Sequence, residues 1–342
     1  MCLRTRGRVP GPVGAPGGLR RGARRSRYVP GLSRPGPLGL RTSGAVLVAE
    51  AGAPVSDVVT DAGSAASVVE LVEPEPVFGQ PAALHAVNLP LFAGELGLPA
   101  AEDMMQGALD NCPVAAILAA LAYVAPESVA GMIAVNTADV RSRRSSDPHD
   151  SFPHRTNRLY TVQFRGGHPV RVSSFLYYTG GATAYAHSPD DRAAWMSYIE
   201  KAYAVFRGGN SYNHLGRANQ AGEALTTNTV MEDLAGPYDF ADIGEGRLYR
   251  SGADSAPLSD AVLRDMLAQA DHRATIAASA GSGVPENVVP NHAYTVLGRS
   301  RNTVSLRNPQ GGSDAVVTFT FDQFKTIFRA VLQAAAGNSS AR

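Results

Sequence analysis

Cysteine is almost missing from this chain of 342 residues, with only Cys2 and Cys112 present. So few thiols exclude a disulfide-stapled scaffold and any cysteine-built zinc site, and they point to a reducing compartment. No apolar run approaches the roughly 20 residues that a membrane-crossing helix needs. Residues 45–49 are too short for the apolar region of a signal peptide. The chain is therefore expected in the cytoplasm, or exported without a cleaved signal. There is no recognisable EF-hand loop and no internal repeat, and tryptophan occurs once, at Trp195.

Acidic residues are missing from the start of the chain. Up to position 49 the sequence carries ten arginines and neither Asp nor Glu, so the net charge of +1 hides a basic stretch followed by an acidic remainder. The basic stretch is rich in Gly and Pro and has no helical or strand periodicity. It is expected to be disordered and able to contact anionic surfaces by charge attraction. Residues 50–80 read as an acidic linker containing Glu73-Pro74-Glu75-Pro76. The folded core is expected over 81–334, divided near Gly236-Pro237, with 335–342 a flexible tail. A monomer is expected.

What the chain does have is a 44 % hydrophobic content, enough for a sizeable core, and one isolated thiol in a telling position. From Cys112 to Val124 the residues are apolar on every side, which predicts a helix buried inside a domain. Pro113 suits its first turn and Pro126 its end. A cysteine at a helix start lies beside unsatisfied N–H groups and the positive end of the helix dipole, both of which favour thiolate. A small buried hydrophobe is the plainer reading of such a residue, so its neighbours must decide.

Those neighbours lie near the C-terminus. Residues 291–298 and 303–311 read as two strands joined by the polar turn Arg299-Ser300-Arg301-Asn302. In an antiparallel hairpin the position numbers of facing residues add to a constant, about 600 for a turn centred near Ser300. His292 and Asn308 satisfy it. The hairpin is thus expected to bring an imidazole and a carboxamide together, with the amide fixing the ring tautomer and directing its other nitrogen at a partner. With Cys112 upstream, this is a nucleophile, a base and an orienting group.

The remaining pattern is that of an α+β protein. Trp195, Tyr198, Ile199, Ala202, Tyr203 and Phe206 follow helical spacing and read as packing. A helix is expected over 259–271 with Ser259 as its cap, then a strand over 274–279 and an amphipathic segment over 321–332. Asp147, His149, Asp150 and His154 lie in a Ser-, Arg- and Pro-rich stretch between positions 139 and 157 that reads as a solvated insertion loop rather than a metal site.

Four blocks now stand in order: Gln106-Gly107-Ala108-Leu109-Asp110-Asn111-Cys112, Trp195 with Tyr198-Ile199-Glu200-Lys201-Ala202-Tyr203-Ala204, Asn291-His292-Ala293-Tyr294, and Arg307-Asn308-Pro309-Gln310-Gly311. Together they resemble the signature blocks of the calpain protease core, with weaker agreement from Pro90-Leu91-Phe92 and over 159–164. The resemblance covers roughly residues 85–330. It implies a papain-like α+β fold of two subdomains with the active-site cleft between them. It also implies cleavage of protein or peptide substrates through a thioester. In that scheme Cys112 is the nucleophile, His292 the base and later acid, and Asn308 the group orienting the ring. The Gln106 side chain and the Cys112 backbone N–H form the oxyanion hole.

The chain departs from the family at Asp110, Asn111, Pro113, Asn291 and Gln310, where calpains usually have Gly, Asp, Trp, Gly and Trp. Those changes leave the chemistry possible and alter the packing around the Asn–His pair. No cofactor is required for it. The resemblance also raises calcium binding, with Asp103 matching an acidic ligand of the first half, but Asn213 stands at a plausible second position and the loop after Gly281 offers only Glu286. Two other function classes remain open. One is an acyl-transfer enzyme of deamidase or transglutaminase type, which Asn308 disfavours because such enzymes usually present Asp. The other is a degenerate, non-catalytic binding module.

Overall fold

The computed structural model describes residues 68–335 except 78, 81, 145–153, 208, 217–224 and 312–314. The expected basic leader, the tail beyond Ala335, and Asp147, His149 and Asp150 therefore lie outside the described residues. In chain order the elements are β1 (Val69–Glu73), β2 (Ala83–Ala86), α1 (Cys112–Val124), α2 (Pro126–Gly131), β3 (Ile133–Arg144), β4 (His154–Val162), β5 (Val170–Ser173), β6 (Phe175–Thr179), β7 (Ala182–Thr183), α3 (Trp195–Phe206) and α4 (Thr227–Leu234). They continue with β8 (Tyr238–Asp242), β9 (Arg247–Tyr249), β10 (Ala256–Pro257), α5 (Asp260–Ala268), β11 (Arg273–Ser279), β12 (Ala293–Ser300), β13 (Thr303–Arg307), β14 (Val316–Thr320), α6 (Phe321–Ile327) and β15 (Phe328–Ala335). The mixture of helix and sheet is the α+β class expected.

The C-terminal part is an antiparallel sheet of eight strands in the order β10-β9-β8-β15-β11-β12-β13-β14. The N-terminal part holds a four-stranded sheet, β1-β3-β4-β5, and a three-stranded one, β2-β6-β7. Helix α1 is buried from Cys112 to Ala122, as its all-round apolar sequence predicts. It packs on β11 and β12, and Thr295 Oγ1 in β12 donates to the Ala116 carbonyl at 2.8 Å. Pro126 marks the end of α1 but also sits in the first turn of α2. In α5, Ser259 caps as expected, accepting from the Val262 N–H.

Four expectations need correction. The acidic linker does not run to residue 80, because β1 pairs in parallel with β3, and Glu73, only 1 % exposed, forms an ion pair with the fully buried Lys201 of α3. Lys201 also donates to the carbonyls of Ser173 and Phe175, at 3.2 and 2.7 Å. Local composition could not show this, since the partner lies more than a hundred residues away. The stretch 139–157, read as a loop, contains the arms of the β3–β4 hairpin, and His154 packs its ring against Phe175. The segment 321–332 is helical only to Ile327. Beyond it, β15 lies between β8 and β11, where Ala330, Val331, Leu332 and Ala334 are all buried, so packing on both sheet faces overrides the helical pattern. Lastly, the main apolar cluster crosses the expected division at 236/237, taking in Phe240, Ile276, Ala293 and Leu332 together with α1 and α3.

Candidate active site

Cys112 opens α1 and is fully buried, with Pro113 in the first turn. The residue before it, Asn111, does not cap the helix with its side chain. Its Nδ2 instead donates to Glu200 Oε1 of α3 at 2.6 Å. The Cys112 Sγ accepts from the backbone N–H of Ala293 at 3.4 Å, which puts the thiol beside the residue that follows His292. His292 is 3 % exposed, and its Nε2 lies 2.9 Å from Asn308 Oδ1. That same Oδ1 also accepts from the Gln310 N–H at 3.0 Å, so the carboxamide oxygen has two donors.

The hairpin brings His292 and Asn308 together, though in a different register from the one expected. Thr295 faces Arg307, Ser300 faces Thr303, and a bulge falls between Val296 and Gly298. The turn is therefore at Arg301 and Asn302, later than a centre at Ser300. Continued past β13, this register puts Asn308 across from Tyr294. His292 is two residues away on the same face, a diagonal neighbour within reach of side chains. His292 and Asn308 both lie just outside the ladder, at its open end.

Ser279 holds the histidine backbone. Its N–H donates to the His292 carbonyl at 2.9 Å, and its hydroxyl oxygen accepts from the His292 N–H at 2.9 Å. Asn291 has φ +52°, the left-handed region that asparagine tolerates better than most residues. The position that calpains usually fill with Gly therefore has a backbone here that glycine adopts without strain. The Asn291 side chain occupies the space beside Gly281, where a Cβ would come within 2.7 Å of its Oδ1.

Gln106 is 9 % exposed, and its Nε2 donates to the Leu109 carbonyl at 2.5 Å. Its backbone N–H donates to the Pro309 carbonyl at 2.7 Å, tying the Gln106 segment to the loop that carries Asn308. Gly107 is forced by close approach, since a Cβ there would lie 2.3 Å from the Tyr185 carbonyl oxygen. Arg307, buried and not singled out in the sequence, adds a second tie by donating to the Glu102 carbonyl at 3.3 Å.

Asp103 is not placed as a cation ligand. It is 2 % exposed, and its Oδ2 accepts from Trp195 Nε1 at 3.2 Å and from the Ala100 N–H at 3.0 Å. Its Oδ1 faces Arg192 Nε at 3.4 Å. Calcium wants six or more oxygen ligands, whereas this carboxylate is surrounded by N–H donors and a guanidinium. Asn213 turns its Nδ2 to the Pro76 carbonyl and the Ser211 hydroxyl. Among the described residues no three His, Cys, Asp or Glu side chains form a group able to hold a metal. The residues named for calcium do not fit it.

The chain thus combines a mixed α+β fold with a helix-start cysteine and a His–Asn pair gathered at the open end of a sheet. The family model for calpain family cysteine proteases matches residues 88–316, and the chain belongs to that family. No curated protein matches it. Among the described residues no helix is long and apolar enough to cross a membrane.

Two contributors escaped the sequence reading. Glu200 and Ser279 act by hydrogen bonds to the segments of Cys112 and His292; Glu200 stands inside the tryptophan-helix block without a role assigned to it, and Ser279 belongs to no block. The available signal for Glu200 was a charged pair, Glu200-Lys201, inside a helix whose other faces are apolar. For Ser279 there was none.

Proposed function

We propose that this protein is a cysteine endopeptidase with a papain-like arrangement, its substrate lying between the part that carries Cys112 and the part that carries His292 and Asn308. The observation that supports it most is the convergence of three elements. Cys112 Sγ lies on the Ala293 N–H, and the adjacent His292 is held through Nε2 by Asn308. With Nε2 committed to Asn308, the thiol proton falls to Nδ1. Sulfur attacks the scissile carbonyl carbon, and the C=O electron pair moves to oxygen. The Gln106 carboxamide and the Cys112 N–H donate to that oxyanion. Collapse expels the amine, which takes the proton from Nδ1, and leaves a thioester. Water then gives its proton to Nδ1 and adds to the thioester carbon, releasing the acid and restoring the thiol. No step runs through a metal ion. Asn308 supports hydrolysis over deamidation or transglutamination.

The test is turnover of a broad fluorogenic peptide library by the full chain, with and without calcium, beside Cys112→Ala. Cleavage by the parent protein and none by the variant is expected. A folded parent that cleaves nothing, while its thiol resists an epoxide probe at neutral pH, would leave the binding-module reading in its place.

A further inference from the structure

Glu200 is 1 % exposed and lies in the middle of α3. Its two oxygens serve two different backbone segments. Oε1 accepts from Asn111 Nδ2 at 2.6 Å, and Oε2 accepts from the Ala186 N–H at 2.8 Å. Asn111 is the residue before Cys112. Ala186 precedes His187, whose N–H and carbonyl are both bonded to Met105, at 3.0 and 2.9 Å, and Met105 is the residue before Gln106. The Ala108 N–H reaches the Ala184 carbonyl at 2.9 Å in the same run. One carboxylate therefore fastens both ends of the segment 106–112, directly beside the nucleophile and through the 184–187 segment at Gln106. That segment has no helix or sheet of its own before Cys112. Its shape depends on such ties.

We propose that Glu200 is a positioning residue that sets the spacing between the Gln106 carboxamide and Cys112, the two sides of the oxyanion hole. This rests on the peptidase reading above. Burial disfavours a charge at this place, and only the two donors offset it, which pushes the carboxyl up to about 7. A group kept there at such a cost, with one oxygen on the segment before Cys112 and the other on the segment bonded to Met105, is better explained by what it holds than by packing. A misplacement of about 1 Å at a reacting centre can cost on the order of a hundredfold in rate.

The hydrogen-bond pattern supplies a specific test. Glu200→Gln keeps an oxygen for the Ala186 N–H but turns an amide donor on the donor of Asn111. Adding Asn111→Asp restores an acceptor opposite that amide, so the bond between positions 200 and 111 returns with its polarity exchanged while the Ala186 bond is kept throughout. We expect Glu200→Gln to lower kcat by roughly ten- to a hundredfold with KM changed much less, and the double variant to recover most of the loss. Unchanged kcat in Glu200→Gln, or a loss that tracks a fallen melting temperature and is not recovered by the second change, would overturn the proposal. The rate of Cys112 alkylation by an epoxide probe is read in parallel on all three proteins. If the parent cleaves no peptide, the peptidase reading fails alone. Positioning then stands if the alkylation rate changes in the single variant and returns in the double, and falls if all three rates are equal.

Discussion

The two parts of the molecule are held together by different physics. Around the nucleophile buried charge is added to stacked rings such as Tyr160 on Tyr198 and Tyr185 on Tyr212: Glu73 pairs with Lys201, Glu200 binds Asn111, and Asp233 accepts from Tyr203 and from Arg207. Around the base the interior is aromatic and aliphatic, with Tyr294, Phe319 and Phe324 each in ring contact with Phe328. The difference follows from what each part must place. His292 and Asn308 stand at the end of an antiparallel ladder whose backbone bonds fix them already. Gln106 and Cys112 are joined by an irregular segment held by a few backbone bonds to the 184–187 segment and to Pro309, and by side chains such as Glu200 reaching from other elements.

The largest expected effect lies on the side of the base and should leave its fold alone. His292→Ala should lower turnover on the order of a thousandfold or more, because proton transfer itself is lost. Asn308→Ala should cost less, since it only orients the ring, and Gln106→Ala should cost roughly a hundredfold in kcat with little change in KM. Circular dichroism melts of His292→Ala and Asn308→Ala should stay close to the parent. A strongly lowered melt for either would mean that the aromatic packing depends on the polar pair.

On the other side the expected effect is on stability. Glu73→Ala leaves the Lys201 ammonium buried without its counter-charge, and burial already draws that amine below its ordinary range. Breaking such a pair costs about 3–5 kcal/mol. Denaturant unfolding should register it, and a chain beginning at residue 81 should be destabilised further, because it also loses the β1 ladder. Full stability of that shortened chain would show that β1 adds nothing.

A third effect sharpens the contrast through pH. Glu200 has its folded value raised to about 7 by burial, above the ordinary carboxyl value of 4.5. The folded state therefore binds the proton more tightly than the unfolded one. The resulting stability is complete below about pH 4.5 and is lost as pH rises through about 7, roughly 3 kcal/mol in all. Unfolding free energies at pH 5 and pH 8 should show the fall, and Glu200→Gln should flatten it. An equal slope in both proteins would assign the dependence to other groups.

The smallest expected effect is none. Calcium added to a chelator-treated protein should change neither melting temperature nor turnover, because Asp103 is already engaged by Trp195, Ala100 and Arg192. A rise in both would return calcium to the account.

Local pattern explains which of these features were legible in the sequence. The limits of α1, the cap at Ser259 and the strand β11 follow from periodicity and end signals within a few residues. The meeting of His292 and Asn308 was legible because a hairpin is itself local, although the bulge and the later turn moved its register. Features that depend on distant partners were not legible. Glu73 among Glu-Pro repeats gives no sign of Lys201, and the helical spacing of 321–332 gives no sign that its second half is flanked by two strands. For Asp103 the family resemblance suggested a metal, whereas the groups around its carboxylate are the Trp195 and Ala100 N–H donors and the Arg192 guanidinium, none of them legible from the residues beside it.

The indole of Trp195 donates to Asp103, three residues before Gln106, and there is no other tryptophan in the chain. The protein thus carries a single indole, excitable apart from its tyrosines, wired to the approach of its candidate oxyanion hole. Its emission should report, without any label, every event that disturbs that carboxylate, and an Arg192→Ala change should shift it while the rest of the spectrum stays silent.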